Sequence, residues 1–275
     1  STLSSSSAAS DVYKRQSQHK DRFILKGAML FAAWTGQPHR PTRDLDLLGM
    51  GDSSDEALMR FVAEIACMEV EPDGLEFDGH GISVSEIREA QDYPGKRIKL
   101  PARLGNARLN LQIDVGFGDA VTPEPSEIEY PVLLDLPAPR IRAYSCETVI
   151  AEKLQALVAF DMAISRMKDF YDIWMLSKQF SFEGTPLSTA IAATFNRRGT
   201  AIPEDVPTAL TDEFAADRTK QTQWMAFLNR SGLTDALLDL RRVVWDLRAF
   251  LLEPLDAAAQ GMTLSRSWTR GGPWI

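Results

Sequence analysis

The 275-residue sequence predicts an α+β protein, a mixed β-sheet with packed helices followed by a mostly α-helical C-terminal region. Three observations predict it. Up to Val115, short runs alternate apolar and polar residues, the period of a strand with one buried face. From Ser145 onward, apolar residues recur at helical spacing. Between these regions Pro123, Pro125, Pro131, Pro137 and Pro139 punctuate a stretch that cannot sustain a helix. The expected division is an α/β domain over 17–142 and a helical domain over 143–275. Residues 1–16, Ser/Ala-rich and without either period, are expected to be a disordered or non-native leader.

Taken in order, Asp21 to Lys26 reads as a short extended entry. Gly27 then opens an apolar run, Ala28 to Trp34, expected as a short buried helix ended by Gly36, with Pro38 and Pro41 marking a loop. Leu45, Leu47 and Leu48 alternate with Asp44 and Asp46 before Gly49, a strand with carboxylates on one face. Asp55 to Val70 carries Leu58, Phe61, Val62 and Ile65 at helical spacing, with Asp52, Ser53 and Ser54 as capping candidates. Gly81 to Ile87, Arg97 to Leu100 and Arg108 to Val115 read as sheet, with turns at Asp92 to Gly95 and Leu104 to Asn106. Ala120 to Arg142 is expected as an extended connection with one short strand near Val132 to Leu134. Glu147 to Leu176 and Leu187 to Glu253 read as helical, with a loop near Glu204 to Thr211 and an irregular tail after Gly261. No internal repeat is visible.

Composition narrows the function. An apolar content of 44% supports a packed core, and a net charge of −8 argues against a protein that coats nucleic acid indiscriminately, so an RNA partner would have to meet a local basic patch. No signal peptide pattern and no apolar run long enough to span a bilayer occur, so the expected compartment is the cytoplasm, with no membrane partner. Cys67 and Cys146 stand far apart without a CxxC or Cys/His cluster and are expected to be buried thiols. His19, His39 and His80 are scattered singly and receive no role.

The chemistry concentrates at Asp44 and Asp46. Two residues apart on a strand, both carboxylates project from one face, and two like charges so close favour a cation between them. Hard oxygen ligands suit Mg²⁺, with Mn²⁺ the alternative, and a nucleoside triphosphate would complete its shell. Asp114 ends the apolar strand beginning at Leu109, and antiparallel pairing beside the first strand would deliver it to the same edge, where three acids could hold two ions. Asp114 is thus a candidate ligand of the activating ion and a candidate proton acceptor. Lys26, Gly27 and Ala28 precede a helix start, where free backbone N–H groups favour a phosphate and glycine permits close approach. Arg43, beside the acidic pair, could grip phosphate or offset the carboxylates.

The order Lys26-Gly27-Ala28, Asp44-Leu45-Asp46 and Asp114 resembles the polymerase-β nucleotidyltransferase superfamily, although Gly27-Ala28 stands where Gly-Gly or Gly-Ser is usual. More narrowly, Arg22–Leu30 (RFILKGAML), Arg40–Leu48 (RPTRDLDLL), Ile113–Gly118 (IDVGFG), Ala151–Ala156 (AEKLQA) and Arg166–Ile173 (RMKDFYDI) resemble the AbiEii/AbiGii nucleotidyltransferase toxins. The resemblance implies metal binding by Asp44 and Asp46, and contributions to the site by Lys153 and Asp169, so that the helical domain completes the active site. It also implies a cognate antitoxin, and an RNA acceptor such as a tRNA 3′ end. The region beyond Lys178 carries no matching motif.

As a point charge, Lys153 suits triphosphate oxygens and a leaving pyrophosphate, and Asp169 could orient that lysine or the acceptor hydroxyl. On one straight helix the two would stand roughly 24 Å apart, so a chain reversal is expected between Phe160 and Arg166, although no Gly or Pro announces it. Lys96, Arg97, Lys99, Arg103 and Arg108 form the most basic local cluster and read either as an RNA contact or as a solvated face. Tyr171 and Trp174 are explained by packing at least as well as by base stacking. The expected activity is Mg²⁺-dependent transfer of a nucleoside monophosphate from an NTP to RNA. The alternatives are a small-molecule acceptor such as an antibiotic, or nucleotide binding without turnover.

Overall fold

A computed structural model of the chain describes residues 21–36, 40, 44–68, 74–87, 95–131, 138–233 and 239–275. The chain divides into two compact units. One comprises the described residues up to Gly118 together with those of Ser126–Tyr144, and the other those of Asp119–Pro125 and Ser145–Ile275.

The first unit is built on an eight-stranded sheet. Its strands are β1 (Phe23–Lys26), β2 (Asp44–Gly49), β3 (Leu75–Phe77), β4 (Ser83–Ile87), β5 (Gly95–Leu104), β6 (Ala107–Phe117), β7 (Ser126–Glu129) and β8 (Arg140–Ala143). The spatial order is β3-β5-β6-β2-β1-β8-β7, with β4 also paired to β5. A two-residue turn at Gly105 and Asn106, with φ +57° at Gly105, folds β5 onto β6. Between β1 and β2 lies helix α1 (Met29–Thr35), which ends at Gly36 in the left-handed region, as the sequence predicts. Helix α2 (Asp55–Ala66) starts where the Ser54 hydroxyl accepts from the Ala57 N–H, so Ser54 is the operative cap among the three candidates. The α2 residues Leu58, Phe61 and Val62 cover one sheet face over Ile98, Leu100 and Val115. The opposite face of the β5–β6 ribbon is polar.

Several elements were not anticipated. β3, β7 and β8 are short, and β8 docks parallel to β1 through the pair Leu25 and Ala143. Their few residues carry too little alternation to stand out between turn residues. The strand expected at Val132 to Leu134 lies outside the described residues, as do Arg43, His19 and His39. Of the turn expected at Asp92 to Gly95, Asp92 to Pro94 also lie outside them, and Gly95 belongs to β5.

The second unit is helical: α3 (Cys146–Phe160), α4 (Met167–Gln179), α5 (Gly184–Arg197), α6 (Asp212–Ala216), α7 (Arg218–Ser231) and α8 (Leu240–Gln260). The tail after Gly261 is irregular apart from one two-residue strand and a bridge at Trp274, but it is packed. Ser267–Trp268 form β10, which pairs with β9 (Phe182–Glu183), and Trp268 and Trp274 pack on Phe250. Their indole N–H groups donate to the carbonyls of Ser177 and Phe250, so both rings are buried with their polar atoms satisfied. Tyr171 and Trp174 also pack: Tyr171 is buried against Phe227, and Trp174 donates to Asp246. Among the described residues no helix is long and apolar enough to cross a membrane. Of the two cysteines expected to be buried, Cys67 is exposed, because it caps the end of α2 beyond its buried stripe, whereas Cys146 is largely covered and burial pushes its thiol up.

Candidate active site

In the first unit, sheet register places the predicted residues side by side. Lys26 of β1 is opposite Asp46 of β2, Asp46 is opposite Asp114 of β6, and Asp114 is opposite Arg97 of β5. Directly opposed residues share a face, so a single row across four strands reads cation, anion, anion, cation. Asp44, two residues from Asp46, lies in the next row, opposite Gln112, which is itself opposite Lys99. All of these face away from α2, because the intervening Leu47, Ile113 and Ile98 belong to the core beneath that helix.

The pairing of β2 with β6 is parallel, not antiparallel as expected. β6 reaches β2 after the α2 crossover and the β5–β6 hairpin, not through a tight turn from β2, and such a route permits parallel alignment. The acids still converge on one face because register, not direction, decides the side.

Gly27 and Asp46 are fitted to one another. Gly27 has φ +75°, and a Cβ built on it would overlap the Asp46 carboxylate. The residue is glycine both for its backbone and because that carboxylate occupies the space of a side chain. Lys26 lies with its ammonium 5.7 Å from the centre of the Tyr144 ring, whose backbone N–H donates to the Leu25 carbonyl. Gly27→Ala is expected to destabilise by about 1–3 kcal/mol and to displace Asp46. Gly36→Ala, with a similar φ but open space, should cost only about 1 kcal/mol. Denaturant unfolding of the two variants checks the difference.

Asp114 has a partner that the sequence reading did not assign. The Arg97 guanidinium grips it in bidentate fashion, Nε and Nη2 at 2.9 and 2.7 Å, and the Gln112 amide adds contacts of 3.3 and 3.4 Å. Among the described residues no group of three ligating side chains converges as a ready metal cluster. The expected three-acid arrangement is therefore altered. Asp44 and Asp46 are neighbours along β2, while Asp114 is turned onto Arg97. The signal was available, since counting outward from the Gly105–Asn106 turn brings Arg97 opposite Asp114.

In the helical unit, the expected reversal is present. α3 ends at Phe160, a 3₁₀ turn spans Asp161–Ala163, and α4 begins at Met167. Asp161 supplies the positive φ, 48°, that a glycine would otherwise provide. The buried Lys220 ammonium holds the turn by donating to the Ile164 carbonyl at 2.7 Å. The reversal brings Lys153 to 2.6 Å from Asp169 and 2.8 Å from Asp172, while Arg166 reaches the second oxygen of Asp169 at 2.8 Å. Both aspartate side chains are fully buried and Lys153 is 12% exposed. Burial alone would lower the lysine, but the carboxylates of Asp169 and Asp172 outweigh it and hold it above the usual ammonium range. Burial alone would raise Asp169, but Lys153 and Arg166 hold it below the usual carboxylate range.

The pH consequence follows in sign. The stability supplied by Asp169 is present above its unfolded value, about 3.9, and is lost as pH falls through the lower folded value. That supplied by Lys153 is present below its unfolded value, about 10.4, and is lost as pH rises through the raised folded value. The cluster is therefore expected to contribute its full stability between about pH 4 and pH 10. Unfolding midpoints of the protein and of a Lys153→Met/Asp169→Asn/Asp172→Asn variant, which lacks the titrating groups, compared across pH, check this: their difference should be flat within the window and change in the protein's disfavour outside it.

With this geometry in view, the family is decided by residues 11–253, which match the family described as the nucleotidyl transferase AbiEii toxin of type IV toxin–antitoxin systems. The chain belongs to the AbiEii nucleotidyltransferase family. It is accordingly a nucleotidyltransferase, with a nucleotide substrate and an antitoxin partner implied by its type IV system. Among solved structures it is similar to JHP933 from Helicobacter pylori, at 16% identity and a TM-score of 0.46 over 87% of this chain and 82% of that one. A second Helicobacter pylori protein, carrying a nucleotidyltransferase assignment, is 16% identical with a TM-score of 0.43 over 87% and 85% of the respective chains. An antigenic nucleotidyltransferase-like protein from Paracoccidioides brasiliensis is 14% identical, with a TM-score of 0.34 over 81% and 83%. No curated protein matches the chain.

Proposed function

We propose that this AbiEii-family protein transfers a nucleoside monophosphate from an NTP to a hydroxyl of an RNA acceptor, a tRNA 3′ end foremost, with Mg²⁺ held at Asp44 and Asp46. The observation that carries the reading is the row Lys26–Asp46–Asp114, with Asp44 beside it, on one polar sheet face. The donor set fits the ion. Two carboxylates two residues apart on a strand offer the hard oxygens that Mg²⁺ takes from protein, leaving other positions for water and phosphate. When bound, such an ion would polarise the phosphoryl oxygens and offset charge developing on the leaving group.

The residues of the chain have separable tasks. Gly27 lets the Asp46 carboxylate lie against the backbone at the end of β1, and Lys26 and the start of the following helix, at Ala28, supply the positive charge and backbone N–H groups for a triphosphate beside it. The acceptor hydroxyl oxygen forms a bond to the α-phosphorus, the α–β bridging bond breaks, and pyrophosphate leaves. Asp114 takes the hydroxyl proton, with Arg97 holding its carboxylate in place. Lys153 and Asp169 belong to the proposal through the family motifs that contain them, and Arg43 as a phosphate contact.

Incubation of the full chain with each labelled NTP, Mg²⁺ and total tRNA tests the reading. Labelled RNA that depends on Mg²⁺ supports it, and growth arrest on expression that is lost with Asp44→Ala would tie it to toxicity. An absence of label with every NTP, with Asp46→Ala indistinguishable from the parent, would exclude it.

A further inference from the structure

We propose that the polar face of the β5–β6 ribbon is a track for the phosphates of a single polynucleotide strand whose end enters the acidic row. The proposal rests on the transferase reading above and names how its acceptor is held. The five cations of the local basic cluster do not act together. Lys96 points to the α2 face, where it pairs with Asp55 at 2.8 Å and approaches Glu86 at 3.7 Å, and Arg97 is committed to Asp114. The other three, Lys99, Arg103 and Arg108, share the face that carries Asp114, and each is exposed without an ion-pair partner among the described residues.

Their positions form a line. Lys99 stands opposite Gln112, one two-residue step beyond the Arg97–Asp114 row, and Arg103 stands opposite Arg108 three steps beyond it. Each step along a strand advances about 6.7 Å, so the cations extend to roughly 20 Å from the acids on a strip two strands wide. Between them lie Asn110 opposite Pro101, and Gln112, which are neutral groups that do not repel an anion. Glu76 of β3, opposite Arg103, offsets part of the charge at the far end, which leaves Lys99 and Arg108 as the stronger contacts.

The arrangement favours phosphate over base recognition. No aromatic side chain lies on this face of β5 or β6, so bases have nothing there to stack on, and binding should be salt-dependent with little sequence preference. In a chain of net charge −8, three cations in line, without ion-pair partners among the described residues and leading to the acids, are the feature that calls for a polyanion.

The test measures binding of a fluorescein-labelled single-stranded RNA of about 12 nucleotides by the full chain across salt concentrations. Lys99→Gln/Arg103→Gln/Arg108→Gln is expected to weaken binding at least tenfold near 0.1 M salt, and to lower the slope of log affinity against log salt by about two. Its Mg²⁺–NTP affinity and unfolding midpoint should match the parent. The track is overturned if the variant binds RNA with the parent's affinity and slope, if the parent binds no RNA, or if a duplex of equal length competes as well as the single strand. Asp46→Ala separates the two proposals, because it should bind RNA normally and transfer nothing. Transfer by Asp46→Ala at the parent's rate would sink the catalytic reading while the binding result still judges the track.

Discussion

Asp46→Asn is expected to slow nucleotide transfer by on the order of 10³-fold or more, about 4 kcal/mol of transition-state stabilisation, with a change in folding stability below about 1 kcal/mol. Asp46 is the hinge of the site. It stands in register with both Lys26 and Asp114, two residues from Asp44, and its carboxylate fills the space that Gly27 leaves. Asparagine keeps the shape against Gly27 and removes only the charge, so loss of fold is not the expected route to lost activity. Asp44→Asn should behave alike, and if the two carboxylates hold one ion as proposed, the double variant should be little worse than either single one, because such ligands act as a unit. Single-turnover transfer from labelled NTP, with urea unfolding alongside, checks the prediction. A fall of less than tenfold with the fold intact would remove Asp46 from the chemistry.

The parts of this molecule that were legible in its sequence are those whose physics is local. The strand Asp44–Gly49, the helix after Ser54 and the short helix closed by Gly36 each announce themselves by period and cap. The reversal between α3 and α4 was legible only through function. Lys153 and Asp169 had to meet, although the turn is made by Asp161 at φ 48°, which no composition rule marks. Non-local facts were harder. The direction of β6 beside β2 depends on the path of the chain between them, and the grip of Arg97 on Asp114 depends on a register that only the hairpin turn sets. The packing of the irregular tail was not legible, because two tryptophans bury themselves by contacts with Ser177 and Phe250, distant in sequence. In the basic cluster, strand alternation sends Lys96 and Lys99 to opposite faces, a distinction that period two contains once the strand boundaries are known.

Lys153→Met should destabilise the protein by about 3–5 kcal/mol, a large share of the roughly 5–15 kcal/mol that holds a typical domain folded. The lysine ties helices α3 and α4 together at this point, and removing it takes a cation from both Asp169 and Asp172, which are fully buried, while Arg166 stays on Asp169. The loss therefore comes from under-compensated carboxylates more than from a missing attraction. Two further variants test that cause. Lys153→Arg keeps the charge but replaces a point ammonium with a planar fork, so it should recover part of the stability and not all of it. Adding Asp169→Asn and Asp172→Asn to Lys153→Met removes the buried charges and should return most of the loss, because a buried ion-pair network replaced entirely is often near neutral where a broken one is not. Guanidinium unfolding of the four proteins reads the differences directly. If Lys153→Met costs under about 1 kcal/mol, the cluster is not what fixes α4 against α3.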